Sequence, residues 1–201
     1  MTRLISRHAA ARAALLFLAA AVPGLALAHT GATPYVHNAA EALAAGFTHP
    51  FTGLDHMAAM VALGVWSALA TKRIWVAPLA FASALLIGAL LGLAGFALPA
   101  IEPMIAASVL VLGLLVATNA RLPLAAGAAL AAGFALFHGV AHGAELAGPQ
   151  AAWSLVGMVS ATALLHGAGL AAGKLLQQRS VWAPRVAGAA VALFGASLLI
   201  A

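Results

Sequence analysis

Long apolar runs, separated by short polar breaks, occupy most of the chain after residue 48. Six such runs can be drawn, at 50–70, 75–98, 103–119, 122–146, 151–173 and 183–201. Each is close to the ~20 residues that a helix needs to cross ~30 Å of hydrocarbon. The runs lack the alternation that is typical of membrane β-strands, and only helices and closed barrels satisfy their backbone in lipid. The pattern therefore predicts an all-α fold, a polytopic membrane bundle of about six transmembrane helices that forms one domain over residues 29–201.

The first 28 residues have the pattern of a cleavable signal peptide. Three arginines precede a short apolar core at 13–21, and the sequence Ala-Leu-Ala at 26–28 is a small-x-small cleavage site. The alternative is an uncleaved first membrane helix, but the apolar core is short for a span. The sequence thus predicts a signal peptide over 1–28 and a mature chain that begins at His29. The polar segment 29–48 is predicted to lie outside the membrane, with an interfacial helix from Asn38 to Gly46.

The lysines and arginines of the mature chain predict its orientation. If His29 lies outside, the first, third and fifth connections between the runs are cytoplasmic. Those connections hold all of the mature basic residues: Lys72, Arg73, Arg121, Lys174, Arg179 and Arg185. This distribution is the one that the positive-inside rule expects. We therefore expect a multi-pass protein of the bacterial inner (cytoplasmic) membrane with a periplasmic mature amino terminus.

Composition and charge narrow the classes of function. The chain is 65% hydrophobic and only 6% charged, whereas a soluble domain is about a quarter charged, so lipid must solvate most of the surface. The net charge of +5 does not indicate a nucleic-acid partner, because the basic residues form no patch. The absence of cysteine excludes disulfides, thiolate metal sites and cysteine nucleophiles.

Closely spaced glycines recur within three of the predicted helices. They are Gly88, Gly92 and Gly95, then Gly139 and Gly143, then Gly169 and Gly173. Small residues at this spacing let membrane helices approach closely. They predict tight helix packing and carry no chemistry of their own.

Ionisable side chains inside lipid-spanning helices are costly unless they face a cavity or a partner, so each is a functional candidate. The first group lies in HPFTGLDH at 49–56, which contains His49, Asp55 and His56. Adjacent residues do not share a helix face, so Asp55 and His56 can hold one ion only across a seam between helices. The alternative is an interfacial His49 and an Asp55 that caps the start of a helix.

The second group lies in FHGVAHGAE at 137–145, on the fourth predicted helix. His138, His142 and Glu145 are spaced i, i+4 and i+7, so they share one face. The alternative is three polar groups that are hydrogen-bonded separately. Imidazole and carboxylate without thiolate suit Ni²⁺, Co²⁺, Zn²⁺ or Cu²⁺.

Two further histidines are secondary candidates for metal binding. His166 lies alone on the fifth predicted helix, where a structural hydrogen bond is the more frequent role of a histidine. His29 would combine its imidazole with a free amino group after cleavage. Met57 and Met60 could offer sulfur, but apolar packing explains them better.

The two motifs resemble the signature motifs of the HupE/UreJ family of nickel (cobalt) permeases. The resemblance covers essentially the whole chain, with a signal peptide, about six helices and the motifs on the first and fourth helices. It implies secondary transport of Ni²⁺, and in some relatives of Co²⁺, across the bacterial cytoplasmic membrane. By this resemblance the functional residues are His49, Asp55, His56, His138, His142 and Glu145.

The sequence therefore predicts a permease and not an enzyme, with a His/Asp/Glu site between the predicted helices 50–70 and 122–146. Its partners are lipid and a divalent metal, Ni²⁺ first, with Co²⁺ or Zn²⁺ as alternatives, and no cofactor is bound permanently. No nucleic acid is expected, and no ATP, because the chain lacks a Gly-x-x-x-x-Gly-Lys loop. An alternative is an intramembrane zinc-dependent hydrolase that uses the same cluster, although no His-Glu-x-x-His motif occurs. Another is a non-catalytic membrane subunit or metal sensor.

Overall fold

The computed structural model describes residues 37–201, and this part of the chain folds into helices only. Its seven helices are α1 (Ala39–Thr52), α2 (Leu54–Ala70), α3 (Val76–Leu93), α4 (Ile101–Thr118), α5 (Leu124–Glu145), α6 (Ala151–Arg179) and α7 (Ala183–Ile200). The five helices α3 to α7 are long and apolar enough to cross a membrane, and α1 and α2 meet the same test as a bent pair. The all-α prediction is confirmed. The predicted signal peptide and His29 lie outside the described residues.

The run that we predicted as one helix over 50–70 is divided at Gly53, where α1 and α2 meet at a bend of 81°. Gly53 has extended backbone angles (φ −95°, ψ 110°), which end α1 and let α2 begin in a new direction. Pro50 does not start the span but lies in the last turn of α1. One continuous predicted helix is thus a bent pair of helices, which meets the test for a membrane span only when the two are taken together.

Helix α1 begins with side-chain caps. The Asn38 side chain accepts a hydrogen bond from the Glu41 N–H at 3.0 Å, and the Glu41 carboxylate accepts one from the His37 N–H at 2.9 Å. These bonds satisfy amide groups that have no partner within the helix. Beyond Gly46, where the interfacial helix was predicted to end, α1 continues against α6 to Thr52.

The most closely packed helix pairs meet at glycines, and we call these lines of contact glycine seams. A Cβ on Gly139 would meet the Leu85 carbonyl oxygen and come within 2.9 Å of the Gly88 Cα, and a Cβ on Gly143 would meet Ala89. The pair α2–α6 uses Gly64 and Gly169 in the same way, and α4–α7 uses Gly113 and Gly188. The expected close packing is confirmed for the α3–α5 and α2–α6 pairs, and the α4–α7 pair adds one that was not predicted. Gly95 instead follows the end of α3 with a φ of +84°, a conformation that favours glycine, and α3 therefore stops before the predicted 98.

The two ends of the helix bundle differ in chemistry. We call one the histidine end, where α1 meets the carboxyl end of α5 and the start of α6 through His49–Glu145 and Gly46–Ser154. We call the other the basic end, and its lysines and arginines lie in or beside the connections α2–α3, α4–α5 and α6–α7. Helix α6 continues past the predicted 173 to Arg179, so Lys174 is helical.

Apolar packing and two side-chain hydrogen bonds close the basic end. The Trp66 indole N–H donates to the Ala120 carbonyl at 2.8 Å, and the Ser67 hydroxyl donates to the Ile74 carbonyl at 2.9 Å. These contacts tie α2 to the two neighbouring connections. The fully buried side chains of Leu63, Phe81 and Leu85 continue the core above them.

Candidate metal site

Three helices bring imidazoles together at the histidine end. His49 lies in the last turn of α1, His56 in the first turn of α2, and His142 in the last turn of α5. The ring centroids of His49 and His142 are 4.7 Å apart, and those of His142 and His56 are 4.5 Å apart. The bend at Gly53 makes this possible, because it turns α1 and α2 so that both contribute to one cluster.

Glu145 supplies negative charge beside this cluster. Its Oε2 atom lies 2.8 Å from His49 Nε2 and 3.5 Å from His142 Nδ1. Ligand atoms of His49, His142 and Glu145 all lie within 4.8 Å of one another. A first-row metal binds such atoms at about 2.0–2.2 Å, so small shifts of the three side chains would place them around one ion.

Asp55 orients the neighbouring imidazole. Its Oδ1 atom accepts hydrogen bonds from the backbone N–H of His56 and from His56 Nδ1, both at 2.8 Å. Because the carboxylate accepts, Nδ1 carries the proton and the lone pair of a neutral ring lies on Nε2. A carboxylate behind a histidine is the usual outer partner of a metal-binding imidazole. A Cβ on Gly53 would lie only 2.9 Å from Asp55 Oδ1, so glycine at the bend leaves room for this pair.

His138 lies one turn further into the bundle along α5. Its ring is fully buried, and Nδ1 lies 3.1 Å from the Phe134 carbonyl oxygen. A carbonyl only accepts, so Nδ1 must be the donor and Nε2 of the neutral ring carries a lone pair. The ring centroid lies 4.8 Å from that of His56, which joins His138 to the cluster.

Several ring nitrogens in the described part of the chain are buried without a hydrogen-bond partner. They include Nε2 of His138, His142 and His166. An unsatisfied buried polar group costs about 1–3 kcal/mol, so these nitrogens are suited to bind a metal ion. His166, on α6, shares a ring contact with His138 through Phe81, whose ring centroid lies 5.6 Å from that of His138 and 5.2 Å from that of His166.

The structure brings the two predicted motifs together, but not by direct packing of the two helices that carry them. Helices α2 and α5 do not form one of the main packed pairs, because α2 packs on α6 and α4, and α5 packs on α3. The imidazoles of α2 and α5 meet across the space between these pairs. Asp55 and His56 were expected to diverge, but they contact each other directly because Asp55 lies beside the helix break.

Sequence reasoning missed two neighbours of the histidines. Phe81 contacts two histidines, yet it is an ordinary aromatic residue in an apolar run, and no local signal marks it. The Phe134 carbonyl fixes the His138 ring. That contact could have been anticipated, because a histidine inside a helix can reach the carbonyl four residues earlier.

Comparison with known proteins identifies the family. The family model described as HupE / UreJ protein matches residues 15–198. The chain belongs to the HupE/UreJ family. Protein HupE of Rhizobium leguminosarum bv. viciae is 45% identical over 186 residues, which cover 90% of this chain and 94% of that protein. No solved structure matches the chain. HupE/UreJ proteins are a family of metal transporters.

Proposed function

We propose that this protein is a six-span permease that imports Ni²⁺ from the periplasm across the bacterial inner membrane. The observation that carries the proposal is the convergence of His49, His56, His138 and His142 with Glu145 inside a lipid-solvated bundle. Polar groups at this depth are expensive, and a transported cation is a partner for each of them in turn. Membership of a family of nickel and cobalt transporters supports the same function.

The donor set supports a first-row divalent ion as cargo. Imidazole nitrogens with one or two carboxylates suit Ni²⁺, Co²⁺ and Zn²⁺, whereas Cu⁺ prefers sulfur. His49, His142 and Glu145 would capture the ion first, because they lie nearest the histidine end. His56 and His138 would receive it next, through the Nε2 atoms that their outer hydrogen bonds leave as acceptors.

The charge distribution supports import. We place the basic end in the cytoplasm by the positive-inside rule, and this places the capture site on the periplasmic side. The membrane potential then favours inward movement by about 2.3 kcal/mol per elementary charge per 100 mV, and by twice that for a divalent ion. The chain has no nucleotide-binding loop of the Gly-x-x-x-x-Gly-Lys type, so we propose transport without ATP.

Uptake by proteoliposomes tests the proposal. Purified protein is reconstituted, an inside-negative potential is applied, and entry of radioactive Ni²⁺ is measured alone and in competition with Co²⁺ and Zn²⁺. We expect saturable uptake that His56→Ala abolishes and that His37→Ala, at the exposed start of α1, leaves unchanged. Metal binding without uptake would instead favour a sensor or a subunit. Metal-dependent hydrolysis without uptake would favour the intramembrane hydrolase.

A further inference from the structure

We propose that the Phe81 side chain is a gate between two metal positions, the histidine cluster on one side and His166 on the other. The inference rests on the proposed transport function. It adds a residue without any ligand atom to the transport path, and it assigns His166 as the receiving position beyond the gate.

The contacts of Phe81 carry the first step. Its side chain is fully buried, and its ring meets His138 at an interplanar angle of 65° and His166 at 89°. In both contacts an imidazole and the phenyl ring meet edge to face. The phenyl ring is therefore in contact with both the deepest histidine of the cluster and His166.

The two histidines on either side of the ring are suited to bind the same ion in turn. His138 and His166 are both at least nine-tenths buried, and Nε2 of each has no hydrogen-bond partner. Helix α5 contributes one of them and α6 the other, so they belong to separate packed pairs. Among the residues that the structure describes, His166 is the one buried histidine outside the cluster.

The region beyond His166 shows why a gate belongs here. The His166 carbonyl oxygen faces Gly64, which is eight positions after His56 in the sequence and therefore about 12 Å further along α2. Towards the basic end from this level, the described residues contribute no buried ionisable side chain. Thr162 and Ser67, the nearby buried hydroxyls, already donate to backbone carbonyls. The candidate ligands therefore end at His166, and Phe81 contacts the last two of them.

A single engineered thiol tests the gate, because the natural chain has no cysteine. His166→Cys is placed in right-side-out membrane vesicles without a membrane potential, and Ag⁺ is added in chloride-free buffer. The remaining free thiol is then counted with a maleimide after denaturation. We expect slow reaction when Phe81 is present and at least tenfold faster reaction in Phe81→Ala. Phe81→Leu keeps an apolar side chain and gives an intermediate rate, and it takes the place of Phe81→Ala if that variant does not fold.

Two control variants test whether a change in the reaction rate is specific to Phe81. His142→Cys lies on the near side of the gate, so its thiol reacts fast with or without Phe81. Leu112→Ala removes an equally buried side chain from α4, which carries none of the proposed ligands, and should change the His166→Cys rate less than twofold. Equal rates with Phe81 and Phe81→Ala would overturn the gate. So would an equal acceleration by Leu112→Ala, or an unprotected His166→Cys thiol.

Failure of the gate and failure of the transport function remain distinguishable. Equilibrium dialysis of the otherwise unchanged protein with Ni²⁺ reports metal binding independently of the rate of access, and Phe81→Ala should leave the dissociation constant within about threefold. Absence of Ni²⁺ binding and uptake would count against the transport function, whereas the Ag⁺ rates depend only on access to the thiol.

Discussion

The histidine end and the basic end of the bundle are built from the same helices but filled in opposite ways. At the histidine end, the space between the α3–α5 pair and α2 holds imidazoles and carboxylates. At the basic end, the corresponding space holds Trp66, whose ring lies against Gly127 and whose N–H is satisfied by a backbone carbonyl. One end therefore presents candidate metal ligands, whereas the other holds an apolar aromatic ring.

This difference predicts that metal binding at the histidine end and closure of the basic end are separable properties of this fold. The glycine seams hold helix pairs together along their length, so neither end depends on the other for its backbone packing. Changes at the histidine end should therefore alter metal affinity, and changes at the basic end should not. Four predictions test this separation.

The largest effect is expected from His142→Ala, because this ring touches His49 and His56 and lies 3.5 Å from the Glu145 carboxylate. Its loss removes the link between the capture residues and the deeper imidazoles. Changing an outer partner of a metal ligand costs 10–100-fold in affinity, so loss of this central imidazole should cost about 100-fold or more. Calorimetry with Ni²⁺ measures it, with the exposed His37→Ala as control. A dissociation constant within threefold of the natural one would remove His142 from the site.

A smaller effect is expected from Gly143→Ala, which tests whether the α3–α5 seam positions the site. The new Cβ would meet the backbone of Ala89 on α3, whereas a Cβ on Gly133 of the same helix would meet nothing within 4 Å. Overpacking of this kind costs about 1–3 kcal/mol. Thermal unfolding in detergent should show a lower Tm for Gly143→Ala and an unchanged or higher Tm for Gly133→Ala. Equal Tm values for the two variants would contradict a tight seam.

Glu145→Gln should weaken Ni²⁺ binding at least about tenfold, because changing even an outer partner of a ligand costs 10–100-fold in affinity. The amide keeps the shape and a hydrogen-bonding oxygen for His49 but removes the negative charge beside two imidazoles. The matched control is Glu102→Gln, which removes a carboxylate from the first turn of α4, outside the cluster. Affinities measured at two salt concentrations check the electrostatic cause, because salt screens charge interactions. An equal loss in both variants would show that only net charge matters.

The sequence predicted the composition of the site better than its geometry. The spacing of His138, His142 and Glu145 determines a shared helical face, and α5 is a continuous helix, so this half of the site was predictable. The segment 49–56 was not, because Pro50 and Gly53 both disfavour a helix and the sequence alone does not choose between them. The structure breaks the chain at Gly53, which places His49 on α1 and turns Asp55 onto His56.

The role of Phe81 could not be predicted for a different reason. Its neighbours His138 and His166 come from two other helices that are distant in sequence, and only tertiary packing brings the three rings together. For the glycine seams, the positions were predictable from the sequence but the partner helices were not. Gly88 and Gly139 were recognisable as close-packing positions from their spacing, but the sequence did not say which helices they would join.

The smallest effect on metal affinity is expected from joint replacement of Lys72→Gln and Arg73→Gln. Both residues lie in the α2–α3 connection at the basic end, and exposed charges separated by more than ~8–10 Å are largely screened at physiological salt. The dissociation constant for Ni²⁺ in correctly inserted protein should therefore remain within about twofold. The same change weakens the positive-inside signal, so a larger share of molecules should insert in the wrong orientation, as a reporter fused after Ala201 would show. A marked loss of affinity with intact orientation would mean that the basic end communicates with the histidine cluster, and the two ends would then not be separable.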